Sequence, residues 1–162
     1  MKRYRQGVWK SFAFLMMLAV VIGALAGCSG RQAGEELSAA AVAERIQRAV
    51  NLNEMKQGDR KKLHKLYHID ADEVEDFMLY TAASNVKADE LAIIKVKDAD
   101  QAERVKQNIL KRIDAQTVKF KDYRPEEHFL IEKHVLKTKG RFVFFAVSKE
   151  AAQIEAALDG AW

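Results

Sequence analysis

Cysteine occurs once in this 162-residue chain, at Cys28, and proline once, at Pro125. A single thiol excludes a disulfide within the chain, so stability must come from packing, unlike small secreted scaffolds stapled by bridges. Internal repeats and low-complexity tracts are absent. The longest apolar run, Ser11 to Gly27, falls short of the roughly 20 residues that a membrane-spanning helix needs. Gly140 is a lone turn glycine, so no glycine-rich loop is present to cradle phosphates. Neither Ser84 nor Ser148 lies in a G-x-S-x-G elbow.

An excess of charge of one sign is also missing once the N-terminus is set aside. The whole chain has 27 Lys and Arg against 23 Asp and Glu, with an isoelectric point near 9.1. Four of the basic residues (Lys2, Arg3, Arg5, Lys10) precede Cys28 and no acidic residue does, which leaves 23 against 23. Nothing in that balance supports nucleic-acid binding, which needs a basic face with stacking or groove-reading elements.

What is present begins at the N-terminus. The four basic residues lead into the apolar stretch Phe12 to Ile22, which gives way to the small residues before Cys28. This is the order of a secretory signal. Leu25-Ala26-Gly27-Cys28 resembles the lipobox of bacterial lipoprotein signal peptides. The resemblance implies cleavage between Gly27 and Cys28, with the Cys28 thiol, a good nucleophile as thiolate, taking a diacylglyceryl group. Residues 1–27 are then a signal peptide, 28–37 the lipidated cysteine and a polar tether, and 38–162 one domain of modest core. The expected location is the extracytoplasmic face of the cell membrane, with Cys28 joined to the bilayer through lipid. The competing reading is an uncleaved membrane helix with an incidental cysteine, which gives the same topology.

Beyond the tether, Ser38 stands as a helix cap before Val42, Ile46, Ala49 and Val50, spaced for one helix face. A weaker helix is expected from about Asp59 to Tyr67, with Leu63, Leu66 and Tyr67 as its apolar side. An acidic turn follows, Asp70 to Asp76. Phe77–Ala82 and Leu91–Val96 read as an antiparallel strand pair joined by a turn through Ser84 to Asp89. Asp98 and Gln101 have capping-box spacing ahead of the stripe Ala102, Val105, Ile109, Leu110, Ile113 and Phe120. Pro125 opens a short turn. A hairpin is expected from Ile131–Thr138 and Arg141–Val147 around Lys139-Gly140, then a last helix capped by Ser148 and running through Leu158. The predicted class is α+β, with a four-stranded, mainly antiparallel sheet packed by helices. Phe142–Val147, apolar throughout, is expected as a strand buried on both faces.

The runs Ala88–Asp98, Tyr123-Arg124-Pro125-Glu126-Glu127 and Lys139-Gly140-Arg141-Phe142-Val143 resemble a family of small Gram-positive lipoproteins, domain-of-unknown-function family 4358. The resemblance implies an extracytoplasmic lipoprotein, and it carries no catalytic residues to transfer.

Candidate chemistry is sparse. His64 and His68 are four apart, which on a helix sets both imidazoles on one side, and Asp70 or Asp72 would add oxygen ligands for a metal. The glutamate of H-E-x-x-H is missing, and a solvated pair beside an acidic turn accounts for the same residues. The acidic turn lacks the glycine and the distal glutamate of a calcium loop. His128 and His134 have no partner indicated by spacing, and adjacent Glu126 and Glu127 make a poor acid/base pair. The expectation is a non-catalytic, lipid-anchored domain with no cofactor, binding an envelope protein or other ligand. The alternative is a small cell-envelope enzyme or metal-dependent binder using His64, His68 and the acidic turn.

Overall fold

The computed structural model describes residues 37–162. The expected signal peptide, the cleavage position at Gly27 and the lipid attachment at Cys28 lie outside the described residues. Helix α1 (Ala39–Ala49) begins where Ser38 Oγ accepts the Ala41 N–H at 3.1 Å. Strand β1 (Met55–Gln57) follows, then α2 (Arg60–Tyr67), capped by Asp59, whose carboxylate accepts the Lys62 N–H at 2.9 Å. A 3-10 turn at Ala71–Glu73 leads into β2 (Val74–Ala82), which pairs with β3 (Glu90–Val96). Asp98 and Gln101 form the expected reciprocal capping box at the 3-10 turn Ala99–Gln101, ahead of the long helix α3 (Ala102–Phe120). Helix α4 (Pro125–Glu132), hairpin β4 (Val135–Lys139) and β5 (Phe142–Val147), and α5 (Ala151–Asp159) complete the order.

The α+β class is as expected, but the sheet has five strands rather than four, all antiparallel, in the order β1-β2-β3-β5-β4. Strand β1 is only Met-Lys-Gln, too short for an alternating pattern to show. It exists because β2 offers it an edge, with Met55 opposite Ala82 and Gln57 opposite Tyr80. Three boundaries move as well. Strand β2 starts at Val74, so Glu75 and Asp76 belong to a strand with a register shift rather than to the acidic turn. Ile131 lies in α4, because Pro125 at the first helical turn starts a helix of eight residues, and β4 begins only at Val135. Ser148 Oγ accepts the Glu150 N–H at 3.1 Å, a turn that precedes α5 rather than a cap upon it.

Two-residue periodicity divides the sheet into two buried faces. Ala92, Ile94 and Val96 of β3, with Val143, Phe145 and Val147 of β5, face a core closed by α2, α3 and α4. Leu91 and Ile93, with Phe142, Phe144 and Ala146, face a second core closed by α1 and α5. All six residues of β5 are buried, the expected consequence of a strand covered on both sides. Trp162 packs edge-on against Phe142 and Phe144 in the second core.

Gly58 marks a close approach between β1 and β2. Its N–H donates to the Leu79 carbonyl at 2.8 Å, and a Cβ there would stand 2.7 Å from Leu79 Cδ2. Leu79 is itself 1 % exposed, so it has little room to yield. Gly58→Ala should cost about 1–3 kcal/mol by overpacking, measured as a fall in the urea midpoint with an unchanged slope.

Candidate functional site

Glu90, the first residue of β3, shares its face with Ala92 and Ile94 and is therefore directed into the core beneath α2 and α3. It is 2 % exposed. A carboxylate in that position survives only if donors replace its water. Arg112 of α3 supplies them side-on. Its Nη2 donates to Oε2 at 2.7 Å, and its Nε lies 3.2 Å from both oxygens. Gln116 Nε2, one helical turn on, donates to Oε2 at 3.1 Å. The Tyr67 hydroxyl, from the last residue of α2, donates to Oε1 in a short hydrogen bond. One carboxylate thus joins β3, α2 and α3. Burial pushes the Tyr67 phenol well above its ordinary pKa, and the Glu90 charge and hydrogen bond add to the shift. For Arg112, burial works against the charge, but the hydrogen bonds and charge of Glu90 outweigh it and hold the pKa above the usual value.

A second buried carboxylate fixes the connection between β2 and β3. Glu127 of α4 is fully buried and accepts from Lys87 Nζ and from the Ala88 N–H, each at 2.8 Å. The hydrogen bond to Glu127 raises the Lys87 pKa. Lys119, near the end of α3, donates to the Asn85 carbonyl at 2.6 Å. Burial pushes the Asp89 carboxyl above the usual carboxylate range, and the Glu127 charge adds to this.

These two anchors border a cleft of about 390 Å³ between α2, the β2–β3 connection and α3. Lys62, Lys65, Lys87, Arg112 and Lys119 contribute to its walls, with Asp89 and Glu90 as the acidic members. A neighbouring hollow of about 670 Å³ meets it along Ala82–Ser84, Lys87 and Asp89. Tyr67, fully buried, cannot exchange a proton with a bound molecule. What the network does chemically is hold the Arg112 guanidinium in one orientation.

The histidines lie elsewhere. Arg60, Lys61 and His64 occupy the flank of α2 opposite Lys62, Lys65 and Leu66, over a separate open hollow with Asp70 and Asp72. His64 Nε2 is 3.7 Å from Asp70 Oδ1, and both are largely exposed. His68 stands past the end of α2 as a left-handed cap, with φ of 53°, and its ring centroid is 6.3 Å from that of His64. Asp72 pairs instead with Arg60 Nη1 at 3.3 Å. Among the described residues, no three His, Cys, Asp or Glu side chains converge as metal ligands. His128 lies 3.9 Å from Glu132, one turn along α4, and His134 contacts the Ile131 carbonyl at 2.7 Å.

The profile of the family described as domain of unknown function (DUF4358) matches residues 48–148, more than half of the chain. The chain belongs to this family. The matched DUF4358 segment contains both anchoring carboxylates and every wall of the cleft. No match was found among curated proteins or among solved structures.

Sequence reasoning did not single out Glu90, Arg112 or Gln116 as a group. A signal existed: Gln116 interrupts the apolar stripe of α3 between Ile113 and Phe120, and Glu90 keeps the two-residue register of a strand buried on both faces.

Glu90→Gln leaves Arg112 without its counter-charge and should cost about 3 kcal/mol. Tyr67→Phe, which leaves the remaining donors in place, should cost about 1–2 kcal/mol. Urea denaturation checks both; a loss for Glu90→Gln below about 0.5 kcal/mol contradicts the anchoring role. Asp89 carries a second prediction. An acid whose folded pKa is raised favours folding below its unfolded pKa and loses that contribution as pH rises through the folded value. Asp89→Asn should therefore raise the melting temperature near pH 7, and the difference should close near pH 3, in paired melting curves.

Proposed function

We propose that this DUF4358 chain is a lipid-anchored, non-catalytic binding domain on the extracytoplasmic face of the cell membrane. The ligand or envelope partner is taken at the cleft beside α2 and the β2–β3 connection. The observation that carries the binding role is the pairing of Glu90 with Arg112, Gln116 and Tyr67. Its charged groups are committed to one another in a fixed arrangement, which suits a preformed recognition surface. The anchor rests on the lipobox-like Leu25-Ala26-Gly27-Cys28 behind a basic start and an apolar run. Two acyl chains hold a protein to a bilayer far more firmly than one.

The rival reading, a metal-dependent binder or small envelope enzyme, draws on the approach of His64 to Asp70. Zinc that raised the melting temperature of the parent but not of His64→Ala would favour it.

In cells given an alkyne-bearing fatty acid, the parent chain should take up the label and sediment with membranes. Cys28→Ala should lose the label and leave the membrane fraction. Labelling that persists in Cys28→Ala would sink the anchor reading.

A further inference from the structure

The cleft beside α2 contains more cationic groups than the fold consumes. Lys62 and Lys65 are exposed on one flank of α2, and neither has an ion-pair partner among the described residues. Lys119 is engaged by the Asn85 carbonyl and lies 4.5 Å from the centre of the Phe120 ring, with no carboxylate paired to it among the described residues. The two other cations of the walls are already matched, Lys87 by Glu127 and Arg112 by Glu90. Asp89 is the one acidic wall residue outside those pairs. Three lysines against one carboxylate leave the cleft positive, although the chain beyond residue 27 is balanced.

Arg112 adds direction to that charge. Glu90 takes up its Nε and Nη2, while Nη1 has no hydrogen-bond partner among the described residues and is not fully buried. A guanidinium is planar, so fixing one edge fixes the other. The free edge is aimed before any ligand arrives, which lowers the ordering cost of binding. An oxyanion meeting it gains a charge-assisted hydrogen bond in a partly desolvated place.

From this arrangement we infer that the cleft binds a small ligand bearing a carboxylate or phosphate group, with Arg112 Nη1 as the anchoring donor and Lys62, Lys65 and Lys119 as a cationic rim. The inference rests on the binding-domain reading above and adds to it the chemistry of the ligand. A cleft of about 390 Å³ falls near the lower end of small-molecule sites, which fits a compact ligand or the charged end of a larger one. No bond is made or broken; the ligand's oxygens replace water at the guanidinium edge and along the lysine rim.

The test is calorimetric titration of the full chain in non-ionic detergent at low salt, with inorganic phosphate, succinate and micelle-dispersed phosphatidylglycerol as separate probes. Saturable binding of phosphate or succinate is expected. A response to phosphatidylglycerol alone would assign the oxyanion to a lipid headgroup. The double variant Lys62→Gln/Lys65→Gln alters only exposed side chains and should weaken binding roughly threefold to tenfold. Arg112→Lys keeps the charge for Glu90 but loses the planar fork, and should weaken binding by more than about tenfold. Affinity unchanged in the double variant overturns the inference, as does the absence of heat with all three probes. Lysine acetylation footprinting separates that failure from failure of the binding reading itself. If Lys62, Lys65 and Lys119 are protected in intact cells but not in purified chain, yet no probe binds, only the ligand class is wrong. If the lysines are equally reactive in both and no probe binds, the binding reading falls too.

Discussion

A carboxylate at the start of a central strand, pointing into a core, obliges the elements packed above it to supply donors. Glu90 obtains them from two helices, and their placement follows from that need. Tyr67 ends α2 with its hydroxyl on Glu90, and Arg112 and Gln116 bring the middle of α3 over the same point. Breaking such a group on one side costs more than the pair contributes in net stability, because the orphaned charge stays buried. The network therefore specifies position more than it adds free energy. It fixes where α2 and α3 lie relative to β3, and so fixes the walls of the cleft.

Glu127 extends the same logic to a loop. A connection between strands usually runs free over the surface, but here a buried carboxylate on α4 holds both a side chain and a backbone N–H of it. The cleft is thus bordered by rigid elements on three sides, and its cationic rim is the part left to solvent. Charged residues divide into those that build the wall and those that face outward from it. The lysine excess at the cleft is offset by acidic residues elsewhere beyond residue 27, which is why composition reveals nothing of the cleft.

Much of the fold was legible because local chemistry agrees with tertiary structure. Ser38 and Asp98 form the caps that their spacing announces, and the apolar runs at Phe77, Leu91 and Phe142 become strands. Strand β1 was not legible, since three residues carry no period and owe their conformation to the edge of β2. The extent of α4 was hidden for a related reason. Its apolar residues Phe129, Leu130 and Ile131 are consecutive, a pattern shared by buried strands and short helices. The site was harder still. His64 and His68 drew notice through spacing that functional sites reuse, whereas Glu90 and Arg112 lie far apart in sequence and meet only after β3 and α3 pack.

The strand order has a consequence for how the chain reaches this structure. The pairs β2–β3 and β4–β5 are hairpins between sequence neighbours, while the β3–β5 seam joins strands separated by the whole of α3 and α4. Loop closure across that interval must be met before the seam rewards it. Each hairpin can form early, but neither completes a two-sided core until the other arrives. The β3–β5 seam is thus the strand pairing with the greatest loop-closure cost in the sheet. The ion pair between Glu90 and Arg112 spans only the interval from β3 to α3 and does not cross that seam, so its formation does not wait on the second hairpin.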